Sequence, residues 1–501
     1  MSLQDAKCNE QIAQRLSFQT KALIDGTFRD SVSGAVFDTV NPATGKCITS
    51  VALCDERDVE IAVQAARRAF EDGRWSKLHP GERKKRLLRF AELIEAHSEE
   101  LSVMESLDSG KPMYDTVTLD VPETAACFAW HAEAADKLED SMTATDREHV
   151  SLVVREPIGV VAAILPWNFP MQMAAWKLAP ILATGNTVVV KPAKFTSLTL
   201  LRLAELALEA DIPEGVLNVV TGNGGTIGTA LALHPDVDMI TFTGSTEVGR
   251  KLLEQSGRSN LKRVLLELGG KNPCIVMPDI HDLKRAAEQI VTAALWNMGE
   301  NCTANSRILI HRDIKDALLE EILRQTTLWT PGNPLDPDNR HGALVDKSHM
   351  ERVLHYIEVG KREGAKLLYG GERILEETSG NFLRPAVFDE VTPDMTIFRE
   401  EIFGPVFGIT TFSTEDEAVA LANDTQYGLH ASVWTDDINC VHRISREVRA
   451  GTISVNCFSE GDIGTPFGGF KQSGFMGRDK SLWANRQYTE LKTIWMELSG
   501  K

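Results

Sequence analysis

The chain has 501 residues, of which 43% are apolar and 25% are charged. This ordinary globular balance excludes a disordered, collagen-like or coiled-coil protein. Lys and Arg total 53 against 71 Asp and Glu, so the formal net charge is −18 at pH 7. Because this charge repels phosphate on average, we expect neither nucleic acid nor a membrane surface as a partner. At about 150 residues per domain, the length indicates two or three structural units.

The eight cysteines are scattered and include no C-x-x-C pair, which excludes a zinc ribbon or a thioredoxin-like motif. The histidines form no H-x-x-x-H pattern, so no metal site is expected. The first ten residues are mostly polar and contain no apolar signal-like core. Together these features predict a reduced, cytoplasmic protein.

The first 150 residues are predicted to be mostly helical. Apolar residues recur at spacings of three and four in 59–70 and 82–107, as in amphipathic helices. After residue 160, five β-branched runs alternate with helical patterns, which is typical of a parallel, doubly wound sheet. The five predicted strands are 160–165, 187–191, 216–220, 239–243 and 264–268.

A second α/β stretch is predicted from Pro273 to about Lys471, with strands at 274–277, 307–311 and 406–412. The tail from Tyr488 alternates enough to predict a strand at a subunit edge. In parallel sheets, ligands bind beyond the carboxyl ends of the strands. Polar and glycine-rich segments follow four of the first five predicted strands, so a binding site is expected at that edge.

Individual motifs leave alternatives open. The segment Gly222–Gly228 is not a dinucleotide fingerprint, because Ile227 stands where the last glycine is needed. Gly244–Gly249 directly follows a strand and opens a helix, so it suits either a pyrophosphate or an ordinary helix cap. Cys302 by itself is more typical of a buried structural cysteine than of a nucleophile. Lys177 and Glu267 are single charges in apolar surroundings, which must be paired or functional.

Several motifs nevertheless occur in one order over nearly the whole chain, from Asn41 to Lys492. This order resembles the aldehyde dehydrogenase superfamily. The tail 477–492 is most similar to the bacterial branch acting on γ-glutamyl-γ-aminobutyraldehyde, guanidinobutyraldehyde and related aminoaldehydes. The motifs are Pro166-Trp-Asn-Phe-Pro170, Lys191-Pro192, Phe242-Thr-Gly-Ser-Thr246, Glu267-Leu-Gly-Gly-Lys271, Gly299-x-x-Cys302, Glu401-Ile-Phe-Gly-Pro405 and Pro466-Phe-Gly-Gly469.

The resemblance implies an α/β fold with a Rossmann-type cofactor domain, a second α/β catalytic domain and a small β oligomerisation flap. The cofactor domain would comprise 20–140 and 160–268, and the catalytic domain 269–482. The flap would comprise 141–159 and 483–501. A flap of this kind implies a homo-oligomer, either a dimer or a tetramer.

The resemblance also implies the chemistry. Cys302 would attack the aldehyde as a thiolate, and Asn168 would donate to the resulting oxyanion. Glu267 would activate the water that hydrolyses the thioester. In relatives, an acid at the position of Asp479 forms a proton relay with Lys177. Here the loop Gly474–Asp479 is one residue longer than usual, which leaves that relay open.

NAD or NADP is implied as the cofactor. Lys191 would bind the adenosine ribose, Ser245 the pyrophosphate and Glu401 the nicotinamide ribose, with Phe403 packing near the ring. Many NAD-specific relatives carry a glutamate where Lys194 stands, so this position favours acceptance of NADP. The expected cofactor residues are Ile164, Trp167, Lys191, Lys194, Gly228, Gly244, Ser245, Leu268, Glu401 and Phe403.

The expected substrate is an ω-amino or γ-glutamylamino aldehyde, as in polyamine catabolism. Four carboxylates would surround the entrance to the substrate tunnel and attract a cationic group. Asn301 beside the nucleophile is polar where an aliphatic residue is frequent. The expected substrate residues are Asp120, Glu123, Phe169, Trp176, Asn301, Phe458, Glu460 and Asp462.

Three alternative functions remain at this stage. A general aliphatic or aromatic aldehyde dehydrogenase would lack the amine preference. A crystallin-like protein would keep the fold without activity, but such proteins tend to lose catalytic residues. A transferase to coenzyme A or phosphate is disfavoured by Glu267, because coenzyme A-acylating relatives usually lack that base.

Overall fold

The computed structural model of the protein describes residues 3–498. An eight-stranded sheet forms the first part of the molecule. Its five central strands are parallel, and both edges are extended by short antiparallel strands. In spatial order the strands are Gly474–Phe475, Arg263–Glu267, Met239–Thr243, Val160–Ile164, Thr187–Lys191, Leu217–Val219, Ala22–Ile24 and Thr27–Arg29.

The five strands predicted after residue 160 are confirmed to within two residues at each end. They are short and buried on both faces, because helices cover both sides of a doubly wound sheet. The chain forms Val160–Ile164 first and adds the next two strands on one side of it. It then crosses to the other side of Val160–Ile164 and adds Met239–Thr243 there. The covering helices are Glu56–Glu71, Pro170–Ala183, Leu198–Glu209, Thr229–Leu233 and Thr246–Gly257, with a π-helical turn at Gly224–Gly228.

The N-terminal region is less helical than the sequence predicts. Four short strands precede residue 53, and the predicted helix 82–107 divides at His97. The strands are Ala22–Ile24, Thr27–Arg29, Val36–Val40 and Cys47–Ala52. The helices are Ala6–Arg15, Glu56–Glu71, Pro80–Ala96, Ser98–Ser109, Met113–Asp115, the π-helical Thr116–Asp120 and Val121–Ala134.

A seven-stranded sheet forms the second part, and it is parallel apart from one edge pair. Its strands, in spatial order, are Lys366–Tyr369, Ala386–Asp389, Val406–Phe412, Arg307–His311, Pro273–Val276, His430–Trp434 and Thr452–Val455. Its helices are Leu283–Leu295, Lys315–Thr326, Lys347–Arg362, Thr396–Arg399, Glu415–Asn423 and Ile438–Glu447, with 3₁₀ turns at Trp296–Gly299, Glu376–Thr378 and Lys471–Ser473.

A separate three-stranded antiparallel sheet contains Ser141–Thr143, His149–Pro157 and the tail strand Thr489–Glu497. The strand predicted from Tyr488 is therefore present, and residues 499–501 of the expected flap lie outside the described residues. The expected flap began at residue 483, but the helix Ser481–Gln487 is not part of this sheet. It packs against the helices Val121–Ala134 and Pro170–Ala183. Within residues 3–498, no helix is long and apolar enough to cross a bilayer.

Candidate active site

Cys302 follows a tight turn between the helix Leu283–Leu295 and the strand Arg307–His311. Asn297, Met298 and Gly299 all have positive φ, at 52°, 56° and 68°. Left-handed backbone is costly for the two residues that are not glycine, so the surroundings must hold this turn in place. The turn brings Cys302, which is half-buried, to the wall of a large cavity.

A network of side-chain amides stabilises this turn. The Nδ2 of Asn297 donates to the carbonyl oxygens of Asn168 (2.9 Å) and Glu300 (3.0 Å). The Nδ2 of Asn168 donates to the same Glu300 carbonyl at 2.9 Å. Because an amide nitrogen carries two N–H groups, one N–H of Asn168 is left for a ligand. Asn168 and Cys302 line the same cavity, as the sequence predicts.

Two glycines allow the elements around Cys302 to approach closely. A Cβ on Gly269 would lie 2.1 Å from Oε2 of Glu401, and one on Gly270 would lie 2.5 Å from the Cys302 carbonyl oxygen. The backbone N–H of Gly270 donates to Oε1 of Glu401 at 2.8 Å. A side chain at position 269 or 270 would therefore push the turn that carries Cys302 away from Glu401.

The electrostatic surroundings favour the neutral thiol when nothing is bound. Burial raises the pKa of the Cys302 thiol well above its usual range, and the carboxylates of Glu460 and Glu267 raise it further. Within residues 3–498, no cation is among the main influences on this thiol, unlike the cations that lower thiol pKa values at many reactive cysteines. The thiol therefore needs a base to become a nucleophile.

Glu267 ends the strand Arg263–Glu267 and is 3% exposed. Burial, followed by the charge of Asp479, raises its pKa well above the usual range, and Lys177 acts in the opposite direction. Its Oε1 has no hydrogen-bond partner within residues 3–498. Glu267 does not line the cavity in this conformation, so its side chain must rotate to reach a group bound to Cys302.

Lys177 and Asp479 form a buried ion pair next to Glu267. The Nζ–Oδ2 distance is 2.6 Å, and the two side chains are 2% and 3% exposed. The longer loop therefore does not displace the acid, and Asp479 reaches Lys177. The backbone of Asp479 also exchanges two hydrogen bonds of 2.7 Å with Phe467, which fixes this loop beside the sheet.

The cavity beside Cys302 measures about 710 Å³ and extends over the carboxyl ends of the first sheet. All ten residues expected to bind the cofactor line it. It lies where the strand order reverses beside Val160–Ile164, which is the usual ligand position in such sheets. The structure brings these ten residues together around one groove, and their contacts with the cofactor stay a prediction.

The groove has donors and acceptors that suit a nicotinamide dinucleotide. The buried Lys191 Nζ donates to the Pro192 carbonyl (2.8 Å), which leaves further N–H groups for ribose hydroxyls, and burial lowers its pKa to about 8. Ser245 caps the helix Thr246–Gly257, whose N-terminal N–H groups suit a pyrophosphate. Burial raises the pKa of Glu401 to about 7. Phe403, with φ +60°, packs edge-on against Trp167 at 5.3 Å between ring centroids.

Sequence reasoning missed His349, which also lines this groove. Its Nε2 donates to the Phe403 carbonyl at 2.7 Å, and its ring lies 5.2 Å from that of Trp167. His349 lies on the helix Lys347–Arg362 of the second part, far from any recognised motif. No signal in the sequence pointed to it.

A second cavity of about 360 Å³ meets the first at Gln172, Trp176 and Glu460. Its position marks it as the entrance through which a substrate would approach Cys302. Glu123 and Phe458 line it as expected, and Phe169, Asn301 and Trp176 line the inner cavity. Burial raises the pKa of Glu123 to about 7.

The expectation of four carboxylates at this entrance was wrong. Asp120 is fully buried and pairs with Lys111 at 2.7 Å, because the π-helical turn Thr116–Asp120 directs it inward. Asp462 is exposed on the loop beyond Glu460 and lines neither cavity. The entrance instead contains an unanticipated acid, Asp115, and two cations, Lys480 and Arg340.

Comparison with known proteins agrees with this site. The sequence pattern described as "Aldehyde dehydrogenase family" matches residues 28–494. An aminoacetaldehyde dehydrogenase of Pseudomonas aeruginosa is 54% identical over 97% of this chain and 98% of its own length.

Two solved structures are also similar over 99% of this chain and 100% of theirs. An indole-3-acetaldehyde dehydrogenase in complex with NAD⁺ is 50% identical with a TM-score of 0.98. A γ-glutamyl-γ-aminobutyraldehyde dehydrogenase from Burkholderia cenocepacia is 52% identical with a TM-score of 0.97. The matched residues include every motif from Pro166 to Gly469. The chain therefore belongs to the aldehyde dehydrogenase family and is an enzyme that oxidises aldehydes with a nicotinamide cofactor.

Proposed function

We propose that this enzyme oxidises an ω-amino or γ-glutamylamino aldehyde to the carboxylic acid, with water as the acyl acceptor. The observation that carries the proposal is the pair of carboxylates, Glu123 and Glu460, in the entrance that leads to Cys302. The names of two similar proteins, those acting on aminoacetaldehyde and on γ-glutamyl-γ-aminobutyraldehyde, support it. The indole-3-acetaldehyde enzyme, which is 50% identical, acts on an aldehyde without a free amine, so the substrate test below includes a neutral aldehyde.

Cys302 begins the reaction. The thiol gives its proton to solvent water, and the thiolate sulfur bonds to the aldehyde carbon. The carbonyl oxygen becomes an oxyanion. The free N–H of Asn168 and the backbone N–H of Cys302 donate to it, an interaction whose loss typically costs on the order of 10²–10³ in rate.

Lys191, Ser245 and Glu401 would hold the nicotinamide cofactor in the groove, where it would supply the hydride acceptor that turns the adduct on Cys302 into a thioester. Glu267 then takes a proton from water, and the hydroxide attacks the thioester carbonyl. The carbon–sulfur bond breaks, and the acid is released with Cys302 as a thiolate. The Lys177–Asp479 pair behind Glu267 gives the proton a route away from the site.

Substrate rates test the proposal directly. We expect the wild type to show a higher kcat/KM for 3-aminopropanal than for butanal, which has the same chain length without the amine. Cys302→Ala should lose activity on both aldehydes and keep cofactor binding and the wild-type circular dichroism spectrum. Equal kcat/KM for the two aldehydes would reject the amine preference, and near-normal turnover in the alanine variant would reject the nucleophile.

A further inference from the structure

Lys480 is a buried cation in the substrate entrance. The residue is 3% exposed, and its backbone has a positive φ of 62°. Its Nζ donates to the carbonyl oxygens of Glu460 (2.9 Å) and Gly461 (3.2 Å). The same nitrogen lies 4.9 Å from the ring centroid of Trp176 and 5.5 Å from that of Phe467. These contacts fix the ammonium group at the wall of the cavity.

The charge of Lys480 is not cancelled by a contact ion pair. Within residues 3–498 its Nζ has carbonyl partners but no carboxylate at salt-bridge distance. Burial lowers the pKa of Lys480, and three nearby acidic side chains, those of Glu123, Glu460 and Asp462, act in the opposite direction and favour its charged form. The positive charge of Lys480 therefore partly cancels the negative electrostatic potential that these carboxylates produce in the entrance.

We propose that Lys480 is a specificity-determining residue, whose fixed positive charge limits how strongly the entrance favours cationic aldehydes over neutral ones. A cation entering this cavity meets the attraction of Glu123, Glu460 and Asp115 together with the repulsion of Lys480 and Arg340. A neutral aldehyde of the same shape meets neither. The charge at position 480 therefore changes kcat/KM for cationic aldehydes and leaves kcat/KM for neutral aldehydes nearly unchanged. It sets the ratio of the two.

This inference rests on the proposed function, because it assumes that the substrate passes this entrance. A purely structural role is the competing explanation, since Lys480 also holds the loop that carries Glu460. A loosened loop would slow both classes of aldehyde together. The ratio of rates separates the two explanations.

The test compares 4-trimethylammoniobutanal, a permanent cation, with its neutral isostere 5,5-dimethylhexanal. Both are assayed at pH 8, above the pKa of about 7 of Glu123 so that this carboxylate is charged, and no higher, because burial lowers the pKa of Lys480. In Lys480→Met the ratio of kcat/KM, cation over neutral, should rise about three- to tenfold, as expected for one charge in a partly hydrated cavity. The matched control Lys480→Arg should keep the wild-type ratio, and Glu123→Gln should lower it.

An unchanged ratio in Lys480→Met, with equal losses on both aldehydes, would overturn the inference. Lys480→Gln repeats the measurement if the methionine variant does not fold, because its amide can still donate to one loop carbonyl. Failure of the proposed function is distinguishable. It would appear as a wild-type ratio at or below one, whatever the variants do.

Discussion

At the scale of single residues, we propose that Lys194 controls whether the groove favours a hydroxyl or a phosphate at the 2′ position of the adenosine ribose. It is exposed, lines the cofactor groove, and its Nζ lies 5.3 Å from the ring centroid of Phe37. A glutamate here would accept a hydrogen bond from the 2′-hydroxyl of NAD and repel the 2′-phosphate of NADP. A lysine removes that repulsion and adds an attraction beside the ammonium of Lys191.

We therefore predict that the wild type accepts NADP well and that Lys194→Glu moves the preference towards NAD. Exchanging a positive for a negative charge a few ångströms from a dianion should change the relative affinity by about 1–3 kcal/mol, or one to two decades. Steady-state kcat/KM for both cofactors checks it, with Lys194→Gln as an intermediate control. A strong NAD preference that the substitution does not move would place control of the 2′ position elsewhere.

The residues that sequence reasoning found and missed differ in a physical respect. Asn168 and Lys191 stand in motifs at strand ends, and Cys302 stands just after the glycine of a tight turn, so in each case local sequence fixes the position. Asp120 was misplaced because its burial depends on Lys111 and a π-helical turn, which no pattern in the chain announces. Lys480 was missed because it follows a loop of unusual length and has a left-handed backbone.

At the scale of elements, the loop before Ser481–Gln487 couples the end of the strand Arg263–Glu267 to the helix Pro170–Ala183. Asp479 from the loop pairs with Lys177 from the helix, and both charges act on Glu267 at the strand end. Because Asp479 raises the pKa of Glu267 and Lys177 lowers it, the pair tunes the base without contacting the substrate.

Glu267 acts in its deprotonated form, so activity should rise with pH through its raised pKa. Asp479→Asn should shift this acidic limb to lower pH, and Lys177→Met should shift it to higher pH. Each single variant should also lower the free energy of unfolding by about 3–5 kcal/mol, because it leaves one buried charge unpaired. The double variant should recover part of the lost free energy of unfolding. Its acidic limb should lie close to that of the wild type.

The pH dependence of kcat and thermal melting of all four proteins measure these effects. If the acidic limb of the pH profile moved in the same direction in both single variants, the opposite effects of Asp479 and Lys177 on the pKa of Glu267 would be contradicted.

The short elements explain where fold prediction failed. The five central strands are continuous apolar runs, so their pattern is strong. The four N-terminal strands are three to six residues long, and the two that form the separate hairpin, Val36–Val40 and Cys47–Ala52, are partly exposed. Their pairing depends on distant partners: Ala22–Ile24 joins the main sheet only through Leu217–Val219.

At the scale of the whole molecule, the three-stranded sheet leaves apolar side chains in solvent. Its tail strand Thr489–Glu497 is an edge, with Leu491 62% and Trp495 61% exposed. A nine-residue edge strand with exposed apolar residues on it is unusual for a surface that stays uncovered. We propose that a second copy of the chain covers it, in a dimer or a tetramer.

Replacing Leu491 and Trp495 by Lys should therefore yield a smaller species in light scattering after gel filtration. Leu328→Lys is the matched control, because Leu328 is 65% exposed and lies outside this sheet. A wild type of monomer mass, or a double variant of unchanged mass, would contradict the proposed interface.

The central claim is that Cys302 carries a thioester which Glu267 releases to water. Rapid mixing of Glu267→Gln with an aminoaldehyde and cofactor tests it most directly. We predict a burst of reduced cofactor approaching one equivalent per site, followed by slow turnover. Mass spectrometry should then find the acyl group on the peptide that contains Cys302. Full steady turnover with no acyl group on Cys302 would contradict the account, since water would then be activated without this carboxylate.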